Sequence, residues 1–306
     1  MHKLTRGDTM ITNPHGILLF HCHPCPEGVY EGRRTGGENP KVFGYEDGTV
    51  DALAKDLASL GIEKAVAFAP WEVPEGWAIS RMPFEYSQAR HGRGANEWLY
   101  QELKKHRDIL GFVTVNPRDI WATQVVEEYI NRGFVGVKVH PPIHRFRIND
   151  PLLDNFYSAI DGLGVPLVIH TGVSGRLAPF PYHSMPILVD EVAKNHPRLQ
   201  IVIAHAGGAA FCRQALAVAQ SNRNCYLDLS ATIQEDSGWY IPREEIMLLI
   251  KLCGSGKIIY GSDWPWGVTD RIRKDIQEIR SWDISEVDKE NILGGTFERL
   301  MEQSTL

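Results

Sequence analysis

Short apolar runs and segments of helical periodicity alternate eight times along the 306-residue sequence. The apolar runs cover residues 17–20, 65–68, 110–115, 135–139, 166–169, 200–204, 226–229 and 257–260. Because they lack polar alternation, they are typical of strands that are buried on both faces. The segments with helical periodicity cover residues 51–60, 96–106, 121–132, 152–163, 185–195, 209–221, 242–252 and 269–282.

This order predicts an α/β fold, a (β/α)8 TIM-type barrel. Strands separated by helices pair in parallel through right-handed crossovers, and eight such units close into a barrel. We expect a single domain over residues 1–306, with an extra C-terminal helix over 285–301 in which Ser285 and Asp288 have capping-box spacing. An open doubly wound sheet is the competing architecture, but no G-x-G-x-x-G follows a predicted strand.

The charge and composition favour a small molecule as the partner. The net charge of −6 comes without a basic stripe, which argues against nucleic acid. No apolar run is long enough to span a bilayer, so no membrane partner is expected. The five cysteines are odd in number and scattered, which favours reduced thiols in the cytoplasm.

Cys22 and Cys25 form a C-x-x-C that raises the alternative of a structural zinc site or a thioredoxin-like motif. A structural zinc site needs a second ligand pair at similar spacing, and the other cysteines do not supply one. We therefore do not expect this pair to bind zinc.

Residues with metal-ligand chemistry end five of the predicted strands. His21 and His23 lie one residue apart at the first strand, and positions two apart on a strand project to the same side. The other strand ends carry Lys138 and His140, His170, His205, and Asp263. Since the carboxyl ends of barrel strands meet at one mouth, these side chains should converge there.

Each of these residues also has a purely structural interpretation. A single strand-end histidine is commonly a hydrogen-bonded core residue, and an aspartate before Trp-Pro is commonly a turn residue. Lys138 lies inside a valine-rich run, where a buried ammonium requires a partner or a chemical role. Without a shared site, the structural interpretation would have to be true of every one of these residues at once. We therefore favour a metal site.

The motifs around these residues, with the C-terminal run that begins at Ile292, resemble the amidohydrolase superfamily. They are most similar to its amidohydrolase-related (amidohydrolase 2) branch, which includes aminocarboxymuconate-semialdehyde decarboxylase and lactone hydrolases. The resemblance extends from the first strand to the last helix. It implies four metal ligands, namely His21, His23, His170 and Asp263.

The same resemblance implies roles for three further residues. His205 corresponds to a catalytic acid/base or substrate-orienting group. Lys138 occupies the position of the metal-bridging carboxylated lysine of two-metal members, a bridge that single-metal members lack. His140 is not a standard ligand of the superfamily and is a candidate for substrate contact.

Three imidazoles and one carboxylate suit Zn²⁺, and Mn²⁺, Co²⁺ and Fe²⁺ accept the same ligand types. We expect one ion rather than two. The leading hypothesis is hydrolysis of a small ester, lactone or amide by metal-activated water. In that reaction Asp263 would move the proton of the water, and His205 would stabilise the developing oxyanion.

Two other functions remain open. The first is non-oxidative decarboxylation of an aromatic or unsaturated carboxylate, in which an arginine would bind the carboxylate. The second is a barrel that has lost catalysis and serves binding or assembly, which the full set of ligand-type residues argues against.

Two predicted connections, 24–50 and 70–95, are much longer than usual and follow carboxyl ends of strands. They carry the substrate-binding candidates Arg33, Trp71, Arg81 and Arg90. Solvated insertions and the contacts of a homodimer are the alternatives to a substrate-binding wall.

Overall fold

The computed structural model describes residues 16–27, 48–70, 91–173, 181–265 and 269–304. Within these ranges, all eight predicted strands are present close to their expected positions. The strands are β1 Leu18–Cys22, β2 Lys64–Phe68, β3 Ile109–Thr114, β4 Gly136–Val139, β5 Leu167–Ile169, β6 Ile201–Ile203, β7 Cys225–Asp228, β8 Ile258–Ile259 and β9 Gly261–Trp264. None of the helices in the described ranges is long and apolar enough to cross a membrane.

The strand pairing confirms the predicted barrel. From β1 to β8, each strand pairs in parallel with the next strand along the chain, and β9 pairs in parallel with β1. Only Tyr260 separates β8 from β9, so this part of the chain forms two short pieces of strand, of which only β8 lies within the predicted run 257–260. One piece pairs with β7 and the other with β1, which nearly closes the barrel.

The helices follow the predicted alternation. They are α1 Val50–Leu60, α2 Arg93–Leu103, α3 Ala122–Asn131, α4 Pro141–His144, α5 Asp154–Leu163, α6 Val189–Asn195, α7 Gly208–Ser221, α8 Arg243–Cys253, α9 Thr269–Ser281, α10 Glu286–Glu290 and α11 Thr296–Ser304. Gly61 and Gly164 end α1 and α5 in the left-handed conformation, each with a φ of 66°. The short helix α4 was not predicted.

The C-terminal helix is interrupted, which the sequence pattern did not predict. It begins as expected, because the Ser285 side chain accepts a hydrogen bond from the Asp288 backbone N–H at 3.1 Å. A π-helical segment, Asn291–Gly295, then separates α10 from α11. A Cβ on Gly294 would lie 2.9 Å from the carbonyl oxygen of Gly16, so this segment packs directly on the start of the barrel.

Aromatic side chains fill the barrel interior. The ring of Phe20 lies 5.8 Å from that of Phe68 and 6.1 Å from that of Phe112. Phe297, on α11, approaches the Phe20 ring to 5.2 Å, so the C-terminal helix joins this inner cluster. A second apolar layer fills the space between the strands and the surrounding helices. Because the interior is packed, the space for a ligand lies at the carboxyl ends of the strands.

Candidate metal centre

The end of β1 brings two imidazoles together through an irregular backbone. His21 has a φ of 66°, and the register of β1 against β2 shifts between Leu19 and Cys22. The Nε2 atoms of His21 and His23 lie 3.1 Å apart, and both side chains are buried. The two histidines therefore converge as predicted, but an irregularity at the end of β1 places them, not the alternation of a regular strand.

Asp263, in β9, supplies the third converging ligand atom. Its Oδ1 lies 3.5 Å from His21 Nε2 and 3.4 Å from His23 Nε2. Within the described residues, these three side chains are the group arranged to hold a metal ion. The pairing of β9 with β1 explains the approach, because it aligns the end of the last strand with the end of the first.

The spacing of these three atoms fits a divalent cation. Ligand atoms about 2.1 Å from one ion, at tetrahedral or octahedral angles, lie roughly 3.0 to 3.4 Å from each other. The three distances here, 3.1, 3.4 and 3.5 Å, are close to that range. Two imidazoles and a carboxylate are also donors that Zn²⁺ and Mn²⁺ accept.

Asp228, at the end of β7, holds one of the ligands in place. Its Oδ2 accepts a hydrogen bond from Nδ1 of His21 at 2.5 Å. With the proton on Nδ1, the lone pair of Nε2 is available to a metal. The other carboxylate oxygen of Asp228 accepts bonds from the backbone N–H and the hydroxyl of Ser230. We did not predict a role for Asp228. It ends the seventh strand, to which no candidate ligand was assigned.

Burial keeps the candidate ligands in the protonation states that bind metals. Desolvation lowers the pKa of His21 and of His23, so both imidazoles are neutral near pH 7. Burial alone would raise the pKa of Asp263, but the hydrogen bond from His23 and the nearby His205 and Lys138 outweigh it. The pKa of Asp263 is therefore below its ordinary value, and the side chain is a carboxylate.

Lys138 points at the same group of atoms. Its Nζ lies 3.2 Å from His21 Nε2 and 4.7 Å above the ring of Phe68, and the side chain is fully buried. Burial lowers the pKa of Lys138 well below that of a free lysine, although the charges of Asp228 and Asp263 oppose this effect. An amine in this state has a substantial neutral fraction near pH 7.

His170, the fourth predicted ligand, lies at the same mouth but outside the three-residue group. Its ring stacks on the ring of His140 with centroids 3.8 Å apart and an interplanar angle of 12°. It also lies 4.9 Å from the ring of His205. The structure thus places the ring of His140 directly against the ring of His170 at the mouth of the barrel.

His205 lies between the ligands and Trp239. Its Nδ1 donates a hydrogen bond to the carbonyl of Ser230 at 2.9 Å, which leaves Nε2 as the nitrogen able to exchange a proton. Its ring lies 4.7 Å from the ring of His21 and stacks on Trp239 at 4.9 Å, with an interplanar angle of 17°. Burial lowers the pKa of His205 to about 4, so the imidazole is neutral at pH 7. Trp239 was missed, because no spacing ties it to a strand end.

The loop candidates Arg33, Trp71, Arg81 and Arg90 lie outside the described residues. The homodimer contact suggested for the same connections stays a prediction.

Comparison with known proteins gives one family match, to the family described as amidohydrolase, over residues 20–301. Among solved structures, an uncharacterised TIM-barrel protein from Bordetella bronchiseptica is 17% identical, with a TM-score of 0.72, and the alignment covers 95% of this chain and 99% of that one. A 2,6-dihydroxybenzoate decarboxylase from Rhizobium is 18% identical, with a TM-score of 0.66 and coverage of 94% and 99%.

A third similar structure is a 5-carboxyvanillate decarboxylase from Novosphingobium aromaticivorans. It is 15% identical, with a TM-score of 0.70, and the alignment covers 95% of this chain and 97% of that one. That enzyme was solved with manganese and 4-hydroxy-3-methoxy-5-nitrobenzoic acid. At these identities the structural likeness establishes the barrel fold.

Proposed function

The chain belongs to the amidohydrolase family, and on that premise we propose that it is a metal-dependent decarboxylase of an aromatic or unsaturated carboxylate. From the sequence alone, this reaction was the alternative to hydrolysis. The observation that carries it is the group of three buried ligand atoms, from His21, His23 and Asp263, beside the neutral imidazole of His205.

Two further observations favour decarboxylation over hydrolysis. The proteins with the same fold include decarboxylases of 2,6-dihydroxybenzoate and of 5-carboxyvanillate. The mouth of the barrel also carries two stacked ring pairs, His140 with His170 and His205 with Trp239. Flat ring surfaces of this kind suit a planar aromatic acid.

His21, His23 and Asp263 would hold the cation, which supplies a Lewis acid that binds and polarises the oxygens of the substrate. We predicted Zn²⁺, whereas manganese in the similar 5-carboxyvanillate decarboxylase makes Mn²⁺ the first ion to test. His170 is a further candidate ligand, because it lies beside the three-residue group.

The proposed reaction needs a proton and no oxidant. The bond between the ring carbon and the carboxylate carbon breaks, its electron pair stays on the ring carbon, and CO₂ leaves. A proton taken up from solvent is delivered to the same carbon, where a new C–H bond forms, and His205 and Asp263 are the acid/base pair that relays it. His205 suits this role because its Nδ1 is engaged with Ser230 and its Nε2 can carry the proton.

Hydrolysis of a small ester, lactone or amide is the second candidate, and Lys138 is the observation that favours it. Its Nζ lies 3.2 Å from a proposed ligand atom. That position suits a carboxylated lysine that bridges two ions, which would support water activation.

The test is to load the protein with Mn²⁺ or Zn²⁺ and incubate it with hydroxybenzoates, 5-carboxyvanillate, lactones and esters. We expect CO₂ release from an aromatic acid, and loss of about 100-fold or more in kcat for His205→Asn with the metal retained. His196→Gln is the control, because His196 follows α6 and precedes β6, at the amino end of that strand, and pairs there with Asp154. Turnover of a lactone or ester with uptake of water, and no CO₂ from any acid, would contradict decarboxylation.

A further inference from the structure

Trp239 has a buried hydrogen-bond donor that nothing in the described part of the chain satisfies. The indole ring is half-buried, yet its Nε1 atom has almost no exposure and no acceptor among the described residues. A buried N–H group without a partner destabilises a fold unless an acceptor arrives from elsewhere. Such a donor beside a reactive site is a candidate for ligand recognition.

The position of Trp239 is fixed by close packing. One face of its ring stacks on His205, and the ring lies edge-on to His170 at 6.3 Å. A Cβ on Gly172 would come within 3.1 Å of both Nε1 and Cδ1 of the indole, and a Cβ on Gly208 within 2.8 Å of Cδ1. The indole ring therefore fits against Gly172 and Gly208 only because these two residues have no side chains.

The backbone that carries Trp239 is also anchored. Trp239 lies in the segment 232–241. The N–H of Ile241 donates to the carbonyl of Thr232 at 2.8 Å, and this hydrogen bond joins the two ends of that segment. The backbone N–H of Trp239 donates to the hydroxyl of Ser237 at 3.2 Å. Because ring and backbone are both held, the N–H direction is set before any ligand binds, and this preorganisation favours affinity.

We propose that the indole N–H of Trp239 donates a hydrogen bond to an oxygen of the bound aromatic acid, an assignment that rests on the proposed function. Its edge faces the segment that follows His170, and its ring borders His205, so the donor lies at the wall of the substrate site. Trp239 is then a substrate-binding residue that selects for acids with an acceptor oxygen at that wall.

The experiment measures binding of hydroxybenzoates to the Mn²⁺-loaded protein by calorimetry, using the acid that the wild type binds most tightly. Trp239→Phe keeps a ring that can stack on His205 and removes the N–H. We expect its Kd for that acid to rise about tenfold or more, with the apparent melting temperature of the ligand-free protein nearly unchanged. Benzoate serves as a second probe, because a loss confined to the hydroxylated acid places the acceptor on the ring substituent.

Trp282→Phe is the matched control. Trp282 is also buried, but its Nε1 already donates to Glu278 at 3.1 Å at the end of α9, so its replacement should leave the Kd unchanged. An unchanged Kd in Trp239→Phe would overturn this assignment and leave the decarboxylase proposal intact. A lower melting temperature with an unchanged Kd would overturn it too, since the donor would then serve the fold. A wild-type protein that binds no acid of the series would contradict the proposed substrate class, and this assignment with it.

Discussion

Three residues of the candidate site hold a left-handed backbone conformation. The φ angles of His21, His205 and Asp263 are 66°, 58° and 60°. Such conformations cost non-glycine residues about 1 to 3 kcal/mol each, so neighbouring contacts must hold them in place. Asp228 does so for the His21 side chain, and the carbonyl of Ser230 does so for His205. The strain is concentrated where the side chains must converge, which is where functional sites tend to store it.

Replacing Asp228 with asparagine should weaken metal binding. The carboxylate accepts from His21 with one oxygen and from Ser230 with the other. An amide would direct its NH₂ group at one of these two donors, so either the His21 tautomer or the Ser230 contact is lost. We expect the affinity for Mn²⁺ or Zn²⁺ to fall about 10- to 100-fold, measured by competition with a chelator.

Asp236→Asn is the control for this change, because Asp236 is an exposed carboxylate that pairs with Arg271. Its metal affinity should equal that of the wild type. If Asp228→Asn bound metal as tightly as the wild type and melted at the same temperature, Asp228 would not orient His21.

The residues of the site differed in how far the sequence could predict them. His21, His23 and Asp263 were recognisable because ligand-type side chains at strand ends share one mouth of a barrel. Asp228 lies within an apolar run, where its contact with His21 depends on the curvature that brings β7 towards β1. Trp239 belongs to an irregular segment, and its contact with His205 depends on two glycines of other segments, which no local pattern encodes.

Among the elements, the last strand shows how local sequence and closure of the barrel interact. The apolar run 257–260 predicted one strand, but Tyr260 interrupts the ladder. Its N–H donates to the carbonyl of Ile292 at 2.8 Å, and its carbonyl accepts from Phe20 at 3.4 Å. Periodicity located the strand and could not reveal this break, because the partner at Ile292 comes from the C-terminal segment.

Gly261, the first residue of β9, should not tolerate a side chain. A Cβ there would fall within 2.8 Å of the Phe20 carbonyl and still closer to the side chains of Asp228 and Ser230. Gly261→Ala must therefore displace the pair that holds His21. We expect a loss of about 2 kcal/mol in the free energy of unfolding, together with weaker metal binding.

Gly256→Ala is the matched control, because Gly256 lies in the short connection between α8 and β8. Its Cβ would meet no atom nearer than Arg299 Nη2 at 3.7 Å, so the free energy of unfolding should change by less than about 0.5 kcal/mol. Chemical denaturation of both variants gives these values directly. Equal stability of the two variants would show that the packing around Gly261 relaxes without cost.

At the scale of the whole molecule, the interior of the barrel and the carboxyl ends of its strands have different chemistry. Phe20, Phe68, Phe112 and Phe297 pack its interior, whereas the ionisable groups gather at the carboxyl ends of the strands. This division was predictable from the sequence, because apolar runs and ligand-type residues follow one another in the same order at most strands. It also means that ionisation elsewhere in the core should be rare and should affect global stability.

Asp275 is such a group, since it lies on α9 and is almost completely buried against the barrel. Its carboxyl oxygens accept hydrogen bonds from Gln234 at 2.8 Å and from the hydroxyl of Tyr260 at 3.4 Å. Burial raises the pKa of Asp275 to about 7, although these hydrogen bonds and Arg271 oppose the shift. The folded protein therefore keeps a proton that the unfolded chain releases near pH 4.

This difference should make the protein less stable as the pH rises from about 4 to about 7, because the folded state binds more protons than the unfolded state in that window. Above pH 7 both states have released the proton, and the contribution of Asp275 stays constant. Asp275→Asn can keep the contact with Gln234 and removes the titration. Between pH 4.5 and pH 8, we expect the free energy of unfolding of the variant to rise by about 3 kcal/mol relative to that of the wild type, measured by urea denaturation. Asp283→Asn, at an exposed site beyond α9, should show no such gain, and a parallel pH profile for Asp275→Asn and the wild type would contradict the assignment.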